Sequence, residues 1–292
     1  MEFKSVTVPF LGHDDELAAL KTALNLTSHN KARLEVLHVM PDPSGDAWLY
    51  AMGYMLSPYD PSEAVSQIAH LWPEMRDIAE SKFREAAKEA KINIESESDT
   101  VESPSAYFFG TTGSLEKLVG RRSRTSDLVI MTRPPGRGDS GFKEAAYGAL
   151  FGSGRPVLFV PPGKVAHHVR ERAIIAWDGS AEAARAVALA LPMLKHTKIW
   201  IFTAHGPGKG EFPVSAKALA RYLSGHSISA DLLEPEVAPQ DIAEILEKSA
   251  KTLDVGMVVM GAYSHNRIRE TIFGGLTDTM LNQAQIPVLM AH

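Results

Sequence analysis

Residues 172–194 read RAIIAWDGSAEAARAVALALPML, and the fold class follows from this stretch. Arg172 to Trp177 is a short apolar run without polar alternation, as suits a strand covered on both faces. Asp178-Gly179-Ser180 turns the chain, and Ala181 to Leu194 carries Ala and Leu at helical spacing. A doubly buried strand that runs at once into a helix is the repeating unit of a parallel sheet flanked by helices.

The unit recurs in both directions. Toward the C-terminus, strands are expected at Lys198–Thr203, Ser229–Glu234, Val255–Met260 and Pro287–Met290, with helices at Val214–Leu223, Pro239–Lys251 and Gly274–Gln283. Toward residue 1 a matching series appears. Strands Ser5–Pro9, Arg33–Val39, Ile92–Glu97, Asp127–Met131 and Pro156–Val160 alternate with helices near Asp14–Ser28, Ile68–Lys91, Ser114–Arg121 and Lys143–Phe151. This internal repeat predicts two α/β domains with doubly wound five-stranded parallel sheets, spanning 1–162 and 170–292. The linker Pro161-Pro162-Gly163-Lys164-Val165-Ala166-His167-His168 opens with paired prolines that stop the preceding strand. The first half also holds an insert, Pro41 to about Pro73, that the second lacks.

The chain has 292 residues, 45% of them hydrophobic and 22% charged, enough apolar side chain for real cores. It has no cysteine, which excludes disulfides, thiolate zinc sites and cysteine nucleophiles. A net charge of −5 gives no broad basic face, so nucleic acid is not an expected partner. The cluster Arg121-Arg122-Ser123-Arg124 sits at an expected helix end, where cations suit the negative pole of the dipole. Met1-Glu2-Phe3-Lys4-Ser5-Val6 leads straight into a strand without a leader pattern, and no run of about eighteen apolar residues occurs. A cytoplasmic protein without a membrane partner is the expectation.

In an open parallel sheet, ligands bind beyond the carboxyl ends of the strands, where strand order reverses. Asp178 follows the first strand of the second half, with Gly179 permitting the tight turn. Two readings are open: its carboxylate accepts a hydrogen bond from a ligand, or Asp178 or Ser180 caps the next helix. The second candidate is the loop after the fourth strand, running from Met260 to Thr277. Gly261 leaves the strand without a side chain, Ser264 offers a hydroxyl, and Gly274-Gly275 open a helix whose free N–H groups suit a phosphate. Thr277, Arg267 and Arg269 lie within reach in sequence; the alternative is a loop with a glycine-tolerant helix start.

This segment resembles the nucleotide loop of the universal stress proteins: Gly, two residues, Gly, nine residues, Gly, then Ser or Thr. Gly261, Ser264 and Gly274 keep that spacing, and Ala176-Trp177-Asp178-Gly179-Ser180 resembles the family's first strand and turn. Two copies of the family cover essentially the whole chain. The resemblance implies an adenine nucleotide α-hydrolase-like fold with strand order 3-2-1-4-5. It also implies an adenine nucleotide, ATP above all, with Mg²⁺ accompanying the phosphates. By the resemblance, Asp178 and Ala204 would border adenine and ribose, and Gly261, Ser264, Gly274, Gly275 and Thr277 would hold phosphates. Ala176, Trp177, Gly179, Ser180, Met260, His265 and Leu276 would complete the nucleotide-binding set. Ser264 departs from the second glycine of the pattern, and Gly275 from its Ser/Thr. The family's habit of pairing last strands implies that Pro156–Val160 and Pro287–Met290 meet as an intramolecular pseudo-dimer, with a homodimer of two chains open beyond that.

The first half departs further. Leu11 stands where the second half has Asp178, and the loop after its fourth strand reads Thr132-Arg133-Pro134-Pro135-Gly136-Arg137-Gly138-Asp139-Ser140-Gly141, whose prolines remove N–H donors. Arg133 and Arg137 either hold an anion or belong to a degenerate, structural domain whose loop shapes the interface between halves. The insert gathers Trp48, Tyr50, Met52, Tyr54, Met55, Tyr59 and Trp72, readable as a lid, a subunit contact or packing onto its own domain. In His13-Asp14-Asp15-Glu16, Asp14 or Asp15 is expected to cap a helix rather than bind metal, and His167 and His168 are expected to be solvated. No nucleophile elbow, His-Glu-x-x-His or Walker pattern occurs, so any ATP hydrolysis is expected to be slow. Two rival classes are a partner-binding protein of the same fold without nucleotide affinity and an adenylating enzyme.

Overall fold

Strands apolar along their whole length need cover on both faces, and the sequence supplies a helix after nearly every one. The computed structural model describes residues 3–40, 72–97, 104–133, 140–204, 214–262 and 275–292. The first half contains β1 (Ser5–Pro9), α1 (Leu17–Asn30), β2 (Arg33–Met40), α2 (Trp72–Glu89), β3 (Asn93–Ile94), β4 (Ser105–Thr112), α3 (Leu115–Arg122), β5 (Leu128–Thr132), α4 (Ser140–Tyr147) and β6 (Val157–Val160). The second contains β7 (Arg172–Ala176), α5 (Ala181–Leu194), β8 (Lys198–Phe202), α6 (Ala216–Gly225), β9 (Ala230–Leu233), α7 (Ile242–Thr252), β10 (Met257–Gly261), α8 (Leu276–Gln283) and β11 (Val288–Ala291).

The described strands form one sheet in the order β3-β4-β2-β1-β5-β6-β11-β10-β7-β8-β9. The second half runs 3-2-1-4-5 in its own count, as the fold class requires. The first half keeps that winding with one correction. Ile92–Glu97 was expected to be its third strand, but only Asn93–Ile94 pair, at the margin. The place beside β2 belongs to β4, which the sequence reading left unassigned.

Polar groups stabilise that unexpected strand. Tyr107 on β4 stands opposite Glu35 on β2 and donates its hydroxyl to the Glu35 carboxylate. Arg122 at the end of α3 forks onto the same carboxylate at 2.7 and 2.9 Å, reaches Glu97 at 2.7 Å, and lies over the Phe109 ring at 3.7 Å. Burial and then the neighbouring Glu35 push the Tyr107 phenol up to about 12, so it stays a donor. The basic cluster is thus structural as expected, with Arg124 Nε also donating to the Gly152 carbonyl at 3.0 Å.

The strands expected to meet do pair. β6 runs antiparallel to β11, with Phe159 opposite Val288, Leu158 opposite Leu289 and Val157 opposite Met290. Every other pairing is parallel. One apolar layer joins α1, α2, α5 and α6 to the sheet through residues such as Leu24, Phe83, Ala186 and Leu219. The other joins α3, α4, α7 and α8 through Val119, Ala146, Leu246 and Met280. Because the seam is antiparallel, the carboxyl ends of the two sets of parallel strands face opposite edges of the sheet.

After α4 the chain makes a π turn, Gly148–Gly152, where helix had been expected to continue to Phe151. Its glycines allow close backbone contact: a Cβ on Gly148 would stand 2.2 Å from the Glu116 carbonyl oxygen of α3. Six of the insert's aromatic and methionine residues, Trp48 to Tyr59, lie outside the described residues, as do Pro134, Pro135 and Arg137. Trp72 begins α2 and is half-buried.

Candidate functional site

At the carboxyl rim of the second half, β7 ends at Ala176, and Trp177 continues its ladder by donating N–H to the Phe202 carbonyl at 2.8 Å. The Trp177 ring is buried, and its indole N–H is committed to the Val214 carbonyl at 2.9 Å. Trp177 therefore fixes the segment that leads into α6. Asp178 is exposed and uses Oδ1 to accept the Ser180 N–H at 3.0 Å. Ser180 Oγ accepts the Ala183 N–H at 3.1 Å and so caps α5. Both open readings of this turn thus have a place: Ser180 is the cap, while Asp178 braces the turn and presents its carboxylate outward. Gly179 has φ +73° and lies against the Val214 backbone, where a Cβ would stand 2.9 Å from its nitrogen. Only glycine suits both constraints.

The end of β10 meets the same turn. A Cβ on Gly261 would lie 2.5 Å from the Ala183 nitrogen and 2.8 Å from the Glu182 carbonyl carbon. The glycine therefore lets β10 seat directly on the first turn of α5. Met260 and Ala262 are buried, and Ala204, half-buried after β8, packs on the same apolar layer. Gly275 precedes α8 with φ +100°, where an L side chain is strained. This gives a physical reason for Gly275 standing in place of the Ser or Thr of the loop pattern. Leu276 packs inward, and Thr277 is half-buried on the first turn of α8. Ser264, His265, Arg267, Arg269 and Gly274 lie outside the described residues.

The first half shows what became of the same turn. Phe10 N–H donates to the Leu37 carbonyl at 2.9 Å, as Trp177 does to Phe202, so Leu11-Gly12-His13 correspond to Asp178-Gly179-Ser180. Here a buried carboxylate fills the turn. Glu16 accepts the N–H groups of Leu11 at 3.0 Å, Gly12 at 2.8 Å and His13 at 2.8 Å. Ala183 holds the equivalent place in the second half. Glu16, rather than the expected Asp14 or Asp15, is thus the acid that organises this helix start. Asp14 pairs instead with Lys82 at 2.6 Å, and that ammonium, which also bonds the Gly12 carbonyl, holds the Asp14 carboxyl below its usual range.

His38 and Thr203 occupy equivalent places one residue beyond Leu37 and Phe202, and sequence reasoning gave neither a role. Both are buried, and among the described residues neither His38 Nε2 nor Thr203 Oγ1 has a hydrogen-bond partner. His38 Nδ1 donates to the Phe10 carbonyl at 2.8 Å, which leaves Nε2 an acceptor. Burial, with the Arg76 guanidinium as a lesser cause, holds its pKa below the usual imidazole range. The available signal was a polar residue closing an apolar strand.

Arg133 resolves one alternative. Its guanidinium donates to the Asn282 carbonyl at the end of α8, placing this residue at the interface between halves. His168 is exposed and pairs with Glu171 at 2.7 Å, which raises its pKa, and His167 meets Asn25 at 3.3 Å. A cleft of about 430 Å³ lined by His196, Lys198, Ser227 and Asp231 opens at the opposite, amino-terminal rim of β8 and β9. It is remote from the carboxyl rim, where a parallel sheet presents a ligand. Among the described residues no helix is long and apolar enough to cross a membrane.

The profile of the universal stress protein family matches residues 2–106 and 170–292. The first match stops before β5, so it leaves out the proline-bearing loop. Among solved structures, a universal stress protein from Archaeoglobus fulgidus DSM 4304 is 15% identical with a TM-score of 0.63, over 98% of this chain and 95% of that one. A protein assigned to the same family in Pseudomonas aeruginosa UCBPP-PA14 is 14% identical with a TM-score of 0.57, over 99% and 93%. At these identities the likeness is one of fold. No curated protein sequence matches.

Proposed function

The chain belongs to the universal stress protein family, and on that premise we propose that its second half binds an adenine nucleotide, ATP in the first instance, and serves stress response or signalling. The observation that carries the reading is the carboxyl rim of that half. Asp178 presents an exposed carboxylate beside Gly261, which is seated on the first turn of α5. Gly275 opens α8, whose amino end, the positive pole of its dipole, suits phosphate oxygens. Gly261, Ser264 and Gly274 keep the family's loop spacing between these two flanks. The buried Thr203 hydroxyl, next to Ala204, has no hydrogen-bond partner among the described residues and suits a ligand hydrogen bond.

The described residues contain no group of three carboxylate or imidazole side chains for a metal. Mg²⁺ would arrive on the phosphates, with the carboxylates of Asp178, of Glu182 on the first turn of α5 and of Asp278 on the first turn of α8 near them among the described residues. The first half is read as structural, because Glu16 already fills its turn, and the two halves stand as a pseudo-dimer that leaves a homodimer of chains open.

Equilibrium dialysis with labelled ATP tests the proposal. Retention is expected in the wild type and its loss in both Asp178→Ala and Gly274→Val with the circular dichroism spectrum unchanged. Absence of retention at millimolar nucleotide would instead favour the partner-binding reading, which rests on Ser264, Gly275 and the prolines Pro134 and Pro135 of the first half's loop.

A further inference from the structure

The two flanks of the loop between Ala262 and α8 are both held by the first half. Ala262 donates its N–H to the Ala291 carbonyl at 2.9 Å, and its own carbonyl meets His292 Nδ1 at 3.0 Å. The His292 ring stands edge-on against Phe151 of the π turn, with centroids 4.7 Å apart. Phe151 in turn packs on Tyr147 at 4.5 Å. This chain of contacts runs from the body of the first half to the residue at which the loop leaves β10.

The other flank is α8. Its amino end is Gly275, while its carboxyl end receives the Arg133 guanidinium on the Asn282 carbonyl. Arg133 stands just past β5, where its N–H extends the ladder to Val160 at 3.0 Å. The eight residues of α8 span roughly 12 Å, so one short helix connects the carboxyl rims of the two halves. A cation at its carboxyl end and an anion at its amino end stabilise the same dipole, so the two sites favour each other.

We propose that the first half holds in place the two flanks, Ala262 and α8, with Phe151 and Arg133 as positioning residues: Phe151 fixes the β10 flank through His292, and Arg133 fixes the α8 flank. The functional part of this inference rests on the nucleotide reading above. The positional part does not.

The test uses the full chain with Phe151→Leu, Phe151→Tyr and Arg133→Met. Calorimetric titration with MgATP is expected to show affinity reduced about five-fold or more in Phe151→Leu and Arg133→Met, and near wild type in Phe151→Tyr, which keeps the aromatic edge. In nucleotide-free protein, amide exchange should speed up about five-fold at Ala262 in Phe151→Leu and at Thr279 in Arg133→Met, with Ile174 unchanged. Thr279 reports on α8 because its N–H bonds the Gly275 carbonyl at 3.2 Å. Wild-type exchange at both flanks overturns the inference, as does faster exchange with undiminished affinity. A wild type that takes up no ATP defeats the nucleotide reading, and the exchange rates then decide the positional claim alone.

Discussion

Three backbone N–H groups converge on the Glu16 carboxylate, and that residue is 3% exposed. Glu16→Ala would leave those donors without an acceptor, so a loss of about 2 to 3 kcal/mol is expected from urea denaturation. Asp15→Ala, one residue away on an exposed side chain, should change little. His38 contributes through pH. Its folded pKa lies below the unfolded value, so the folded state binds fewer protons as pH falls through about 6.5. Its share of stability is complete above that pH and is lost on descending toward the folded pKa, with a limiting slope of about 1.4 kcal/mol per unit. His38→Gln, which retains a donor for the Phe10 carbonyl, should flatten that acid limb in stability curves measured from pH 7 to 5. Neither residue was recognisable beforehand: Glu16 reaches back to three amides, and the burial of His38 depends on α2 and β4.

For the elements, Gly261→Ala offers a sharp test. The added methyl would meet the α5 backbone, which cannot rotate away, and a cost of about 1 to 3 kcal/mol in thermal or urea unfolding is expected. The sequence marked Gly261 as leaving the strand without a side chain, and the first turn of α5 occupies the space beside it. Most strands were legible because residues such as Ile130, Ile175 and Val259 sit in uninterrupted apolar runs. β4 was not, for two reasons. Ile92–Glu97 already satisfied the count of strands, and Ser-Ala-Tyr-Phe-Phe-Gly-Thr-Thr has a glycine and four hydroxyl residues in eight positions. Its strand character comes from the Tyr107, Glu35 and Arg122 contacts, which join residues far apart in sequence. The π turn escaped for a similar reason, since Gly148 matters only once α3 lies against it.

Across the whole molecule, both apolar layers run from the first half into the second without a break. Far-ultraviolet circular dichroism and tryptophan emission should therefore report a single shared midpoint. Leu158→Ala at the seam should cost about 2 to 5 kcal/mol of stability and shift the midpoint of both probes together. Separate midpoints in the wild type would contradict this. The tandem architecture was legible from the repeat, and the side-by-side arrangement followed from the family resemblance; the contacts of Arg133 and Phe151 depend on three-dimensional packing. The antiparallel seam has a further effect. It occupies the outer edges of β6 and β11, leaving β3 and β9 as the margins of the described sheet, roughly 50 Å apart. Two chains joined edge to edge through unlike margins would leave a fresh margin at each end, inviting open-ended growth. A closed pair of chains is thus better served by helix faces, and the shortness of β3 and β9 acts as a brake on fibre formation.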